Sequence, residues 1–250
     1  MFQTKEHLSA IDFSRLLLSK GISFCLYRFP GEKDFQLAVQ KDHLYSFNEN
    51  ESGETPEFII APFIKNDYSN IVRLQKYDPG KANTGFQEQV EKMPDSAIIW
   101  QPLPAAITKE AYLQKIDQDL KDIRLGKLSK AILSRVILVE KPRNFDVFNF
   151  FLSLASTYPE TFVSVFYIPG MGIWTGASPE LLLKKEGTIY RTMALASTQP
   201  RKESGDYTWR PKEEEEHRLV QEHIEAIFQK SNCTLQSKNG PYTIETGQVA

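Results

Sequence analysis

Apolar positions change their period several times along the chain, and each change predicts an element. Near the start, Leu8, Ile11, Leu16, Leu17 and Leu18 broadly follow helical spacing, and Gly21 suits the residue that ends a helix. Strand-like runs follow over residues 22–29, 35–39 and 58–63. Over 66–94 the pattern fades into polar residues with Pro and Gly, which reads as loop. It sharpens after Pro104. Thr108 is a candidate N-cap; Tyr112, Ile116, Leu120 and Ile123 recur at spacings of four, four and three, and Gly126 follows as a stop. Residues 130–139 are apolar on both faces, which predicts a strand covered on both sides inside a layered structure. A short helix is expected over 146–156. Strands are expected over 161–168 and 173–183, joined through Pro169-Gly170-Met171-Gly172, and another over 188–196. Pro211 then opens a long helix reaching about Lys230. Hairpin-length links between the later strands argue for antiparallel sheet with helices packed on it, an α+β architecture.

Composition narrows this little. The 250 residues suffice for one large domain or two small ones, and for a core that needs no staples. A chain 41% hydrophobic and 25% charged is ordinary for a water-soluble globular protein. The formal net charge of -2 gives no electrostatic case for nucleic acid or a membrane surface as partner. Cys25 and Cys233 lie far apart and in no metal-ligand spacing, so reduced thiols in a cytoplasmic protein are expected. The N-terminus lacks the charged, apolar and small-residue order of a secretory signal. No apolar run approaches the roughly 20 residues of a membrane helix.

Candidate chemistry begins in the helix after Pro211. With Val220 at the centre of its apolar face, Ile224 and Ile227 lie within about 40° at roughly 100° per residue. Glu213 and Glu216 share that face, and Glu214 and Glu215 point away. Carboxylates drawn toward a buried side need a cation, a metal or several donors. Oxygen ligands on a rigid helix suit magnesium; a solvated acidic first turn, favoured by the helix dipole, explains the same residues. Lys130 begins the segment whose alternate residues include Ile132, Val136 and Leu138. A lysine held near such a face can serve as a base, and a lysine at a strand end can equally reach water. Glu180 follows Pro179, which interrupts a strand ladder. There it is either a proton donor beside apolar neighbours or a charged residue at a kinked edge.

Taken together and in order, four motifs say more. Lys130-Ala-Ile-Leu-Ser-Arg135, Gly176-Ala-Ser-Pro-Glu180-Leu-Leu-Leu183, Ala194-Leu-Ala-Ser-Thr198 and Glu213-Glu-Glu-Glu-His-Arg-Leu-Val220 resemble the chorismate-binding enzymes. That family includes anthranilate synthase component I, aminodeoxychorismate synthase component I, isochorismate synthase and salicylate synthase. The resemblance covers residues 108–249; the first hundred residues are compatible with it and carry nothing diagnostic.

Within the family, isochorismate and salicylate synthases carry lysine where Lys130 stands, and glutamine-dependent anthranilate synthases usually carry glutamine. Aminodeoxychorismate synthases often have a nucleophilic lysine where Ala196 stands. The resemblance therefore implies water as nucleophile and a magnesium-dependent isomerase, isochorismate synthase, of a menaquinone or siderophore route. It implies Lys130 as base and Glu180 as acid. Ala196, Ser197 and Thr198 would line the substrate, and Glu216, with Glu213 directly or through water, would hold Mg²⁺. No glutamine amidotransferase subunit is expected. The alternatives are salicylate synthase, which goes on to eliminate pyruvate, and a truncated, non-catalytic paralogue.

Two departures from the family pattern stand out. Ser197 occupies a place usually held by glycine. The chain ends at Glu245-Thr-Gly-Gln-Val-Ala250, where family members continue. The expectation is one incomplete chorismate-binding domain over 1–250, with a variable N-terminal part over 1–105. Residues 106–250 would form the first portion of the catalytic core, with a further metal glutamate and the substrate's anion-binding residues beyond it.

Overall fold

The computed structural model describes residues 9–40, 58–61, 71–78, 84–98, 103 and 105–250. In chain order the elements are α1 (Ala10–Ser19), β1 (Phe24–Arg28), β2 (Gln36–Val39), β3 (Phe58–Ile60), β4 (Val72–Tyr77), α2 (Thr84–Lys92), α3 (Lys109–Arg124), α4 (Val147–Thr157), β5 (Phe162–Ile168), β6 (Gly172–Ser178), β7 (Lys184–Glu186), β8 (Ile189–Arg191) and α5 (Pro211–Lys230). They divide into two compact units, Met1–Pro102 with Arg143–Pro179, and Leu103–Pro142 with Glu180–Ala250. Residues 143–179 belong to the N-terminal unit because their strands pair there.

The first unit is a six-stranded sheet in the order β3-β4-β2-β1-β5-β6, every pair antiparallel. Central β1 is buried along its whole length, and Leu26 faces Leu37 on one neighbour and Val165 on the other. Side chains alternate across a strand. Phe24 and Leu26 therefore join one apolar cluster, and Cys25 and Tyr27 join another on the opposite face. Helices cover the first face through Phe13 and Leu17 of α1, Val90 of α2, and Phe148 and Phe151 of α4. Burying a side chain of that size contributes about 1.5–3 kcal/mol. Caps fix where two of these helices begin: the Ser9 hydroxyl accepts from the Asp12 N–H at 3.1 Å, and the Asp146 carboxylate accepts from the Asn149 N–H at 2.8 Å.

The second unit holds α3, the hairpin β7-β8 and α5. Thr108 caps α3 by accepting from the Ala111 N–H at 3.2 Å, and Pro211 opens α5. Antiparallel sheet with packed helices is the expected α+β class. Among the described residues, no helix is long and apolar enough to cross a membrane.

Several expected elements differ. Residues 130–139 form no strand, and Ile132 and Val139 are 79% and 84% exposed. A strand is defined by its ladder, and among the described residues no other backbone pairs with this segment. The strand expected over 173–183 stops at Ser178, because Pro179 cannot donate to a ladder. That expected over 188–196 is only Ile189–Arg191. Within 66–94 the structure contains β4 and α2, both missed. In β4 buried Val72 and Leu74 alternate with less buried Arg73 and Gln75, a signal too short to stand out among polar neighbours. Leu8 and residues 62–63 lie outside the described residues.

Candidate active site

Every residue singled out by the sequence belongs to the second unit. Helix α5 positions two of them by its phase. Glu213 and Glu216 are partly buried, and Glu214 and Glu215 are exposed. This is the division that a helical period of 3.6 requires.

The two inward carboxylates have different partners. Glu216 Oε1 lies 3.2 Å from the Lys130 Nζ, with the side chains 31% and 22% exposed. An expected base and an expected metal ligand thus form one ion pair, made by residues far apart in sequence. Glu213 instead turns back along its own helix. It accepts from the Arg210 N–H at 3.1 Å, which satisfies a first-turn donor, and forms an ion pair with the Arg210 guanidinium. Hydrogen bonding from Arg210 holds the Glu213 carboxyl below the usual carboxylate range.

Segment 194–198 is fastened to the same helical turn. The His217 Nε2 lies 3.2 Å from the Ala194 carbonyl oxygen, and the Ser197 hydroxyl donates to the Glu213 carbonyl at 2.9 Å. Ser197 has φ +68°, in the left-handed region that favours glycine. Residues 194–197 are half-buried and Thr198 is exposed. Just beyond, Gln199 exchanges backbone hydrogen bonds with Ala250 at 3.0 Å, and the Arg201 N–H donates to the Gln248 carbonyl at 2.9 Å. The segment is therefore held on one side by α5 and on the other by the last residues of the chain.

Glu180 stands apart. It is exposed, and among the described residues no hydrogen bond or ion pair joins it to Lys130, Glu213 or Glu216. Its neighbourhood is tied by the Thr192 hydroxyl, which donates to the Leu182 carbonyl at 2.7 Å. The structure therefore brings together Lys130 with Glu216 and Ser197 with Glu213, and leaves Glu180 outside both contacts. Arg210 and His217 were missed by the sequence reading. Their signals were present: Arg210 is the N-cap position three residues before Glu213, and His217 directly follows Glu216.

Of the two inward carboxylates, Glu216 is the one that could offer an oxygen to magnesium. Glu216 is partly buried and, among the described residues, pairs with Lys130; magnesium takes one or two protein carboxylates and completes its shell with water or substrate oxygens. Glu213 is already engaged at the cap. Among the described residues, no group of three or more His, Cys, Asp or Glu could hold a metal.

The family model for chorismate binding enzyme matches residues 50–250. The chain belongs to this family. Two curated relatives are similar over shorter stretches, both anthranilate synthase component 1. The protein from Thermus thermophilus is 30% identical over 118 residues, 47% of this chain and 23% of the relative. That from Streptomyces coelicolor is 30% identical over 97 residues, 39% of this chain and 19% of the relative. The matched stretch thus spans less than a quarter of either relative. No solved structure matches the chain significantly.

Proposed function

We propose that this chorismate-binding protein is an isochorismate synthase, converting chorismate to isochorismate for menaquinone or siderophore synthesis. The observation that carries the reading is Lys130 set 3.2 Å from Glu216, beside a segment fastened to the same turn of α5. This contact between a candidate base and a candidate metal carboxylate supports the reading.

In the proposed reaction Lys130 takes a proton from water as that water attacks C2 of the ring. The ring double bonds shift, and the C4 hydroxyl leaves with a proton supplied by Glu180. One hydroxyl is gained and one lost, so the product is an isomer. An ion pair contains an ammonium, so Lys130 must part from Glu216 and lose its proton before it acts. Magnesium, when bound through Glu216, would neutralise and orient a substrate carboxylate. Glu213 would keep the turn that carries Glu216 in shape, and Ala196, Ser197 and Thr198 would face the substrate. Glu180, exposed here, must meet the ring from the side opposite the base. Water as nucleophile calls for no glutamine amidotransferase partner.

The relatives' names favour a second reading, in which ammonia replaces water and the product is anthranilate. One experiment separates the readings. The full-length protein is supplied with chorismate and Mg²⁺, with and without ammonium or glutamine, and its products are resolved by chromatography. Isochorismate in the absence of any nitrogen source supports the proposal. Salicylate with released pyruvate indicates the further elimination. Anthranilate formed only with ammonium or glutamine overturns the proposal in favour of the second reading, and no consumption of chorismate overturns both.

A further inference from the structure

We infer that Ser197 is a positioning residue, whose hydroxyl fastens segment 194–198 to the first turn of α5 and so sets substrate affinity. The inference rests on the chorismate reading above, but its starting point is a backbone outlier. Among the described residues only two that are not glycine have positive φ, Ser197 at +68° and Asn232 at +56°. Asn232 lies just past the end of α5, where asparagine commonly takes this conformation. Serine has no such ease there. A non-glycine residue held left-handed persists where its surroundings over-determine it, often beside a functional site.

The surroundings of Ser197 are specific. Its hydroxyl donates to the Glu213 carbonyl at 2.9 Å. A carbonyl oxygen has two lone pairs, so this bond can be added to the helical one. Three residues earlier, the Ala194 carbonyl lies 3.2 Å from the His217 ring nitrogen. Both ends of the segment are thus held by one turn of one helix, and that turn carries Glu216 with Lys130 against it. Shifting the segment would change its placement relative to this pair. The hydroxyl is already donated to the helix, so Ser197 acts on substrate through the position of the segment.

The residue also makes a sharp test possible, because strain and tether can be removed separately. Glycine relieves the strained φ and removes the hydroxyl; alanine keeps the strain and removes the hydroxyl. In the full-length protein, Ser197→Gly is expected to melt no lower than wild type. Its KM for chorismate should rise roughly tenfold, the scale of one net hydrogen bond, with kcat changed less than about twofold. Hydrogen exchange of the amides of 195–198 should speed up by a similar factor. Ser197→Ala should show the same KM and a lower melting temperature. A purely structural serine would make KM follow stability, so wild-type KM in the stable Ser197→Gly protein overturns the inference. Faster exchange with unchanged KM overturns it too. A wild-type protein that neither binds nor turns over chorismate overturns this inference together with the functional reading; turnover that is indifferent to both substitutions overturns this inference alone.

Discussion

At the scale of single residues, the division of labour on α5 gives the clearest expectation. Glu216 faces Lys130, and Glu214 is exposed. Glu216→Gln should abolish magnesium-dependent turnover, whereas Glu214→Gln should leave it nearly unchanged, read from rates across a magnesium titration. Equal losses would mean that the inner face of the helix has been misassigned. Lys130→Ala and Glu180→Gln address proton transfer. General acids and bases are each worth about 10²–10⁴-fold in rate, so both variants should lose turnover on that scale and retain chorismate affinity. A Glu180→Gln enzyme with normal kcat would leave the exposed glutamate as a surface residue and require another acid.

Elements of the first unit are tied by two arginines. Arg28, at the end of β1, is buried and donates to the carbonyls of Ala155 at 2.7 Å, Tyr158 at 2.7 Å and Pro159 at 3.0 Å. It thereby serves the Ala155 carbonyl, to which Pro159 can offer no helical N–H, and adds to the donors that already reach the Tyr158 and Pro159 carbonyls. Arg28→Ala leaves the Ala155 carbonyl without its donor and should destabilise the protein by about 1–3 kcal/mol, measured by urea denaturation. A loss below about 0.5 kcal/mol would show that water replaces the guanidinium freely. Arg15 joins α1 to α4, donating to both carboxylate oxygens of Asp146 at 2.5 and 3.0 Å. Hydrogen bonds from Arg15 hold Asp146 below its ordinary value. A depressed folded-state value stabilises the fold above the unfolded value of about 3.9, and that contribution disappears as pH falls through the folded value. The melting temperature should therefore drop as pH is lowered from about 5 toward 3. Asp146→Asn, which can still cap α4, should flatten that dependence. An unchanged slope in this variant would assign the acid sensitivity to other carboxylates.

Across the whole molecule, burial separates the two thiols. Cys25 is fully enclosed in the sheet and burial raises its thiol, whereas Cys233 is partly accessible just after α5. The thiolate is the reactive form. One thiol per chain should react promptly with an aromatic disulfide reagent under native conditions, and two after denaturation. Two fast thiols in the native protein would mean that the sheet opens at β1.

The sequence by itself determined what depends on neighbours within a turn or two. The helices α1, α3, α4 and α5 lie within a few residues of their expected bounds, because period, cap and stop residues act locally. The same locality sorted Glu213 and Glu216 from Glu214 and Glu215, and the ordered motifs were sufficient to indicate the family. Tertiary structure decided everything that needs a distant partner. It set the strand order, drew residues 143–179 into the N-terminal unit, and left 130–139 without a paired strand among the described residues despite a strand-like composition, because a ladder exists only where a second backbone arrives. It also put Lys130 on Glu216, since an ion pair between residues far apart in sequence is chosen by the cation that the fold brings near. The left-handed backbone of Ser197 belongs to this second class: nothing in serine's own preferences asks for it, and only the helix turn that receives its hydroxyl explains it.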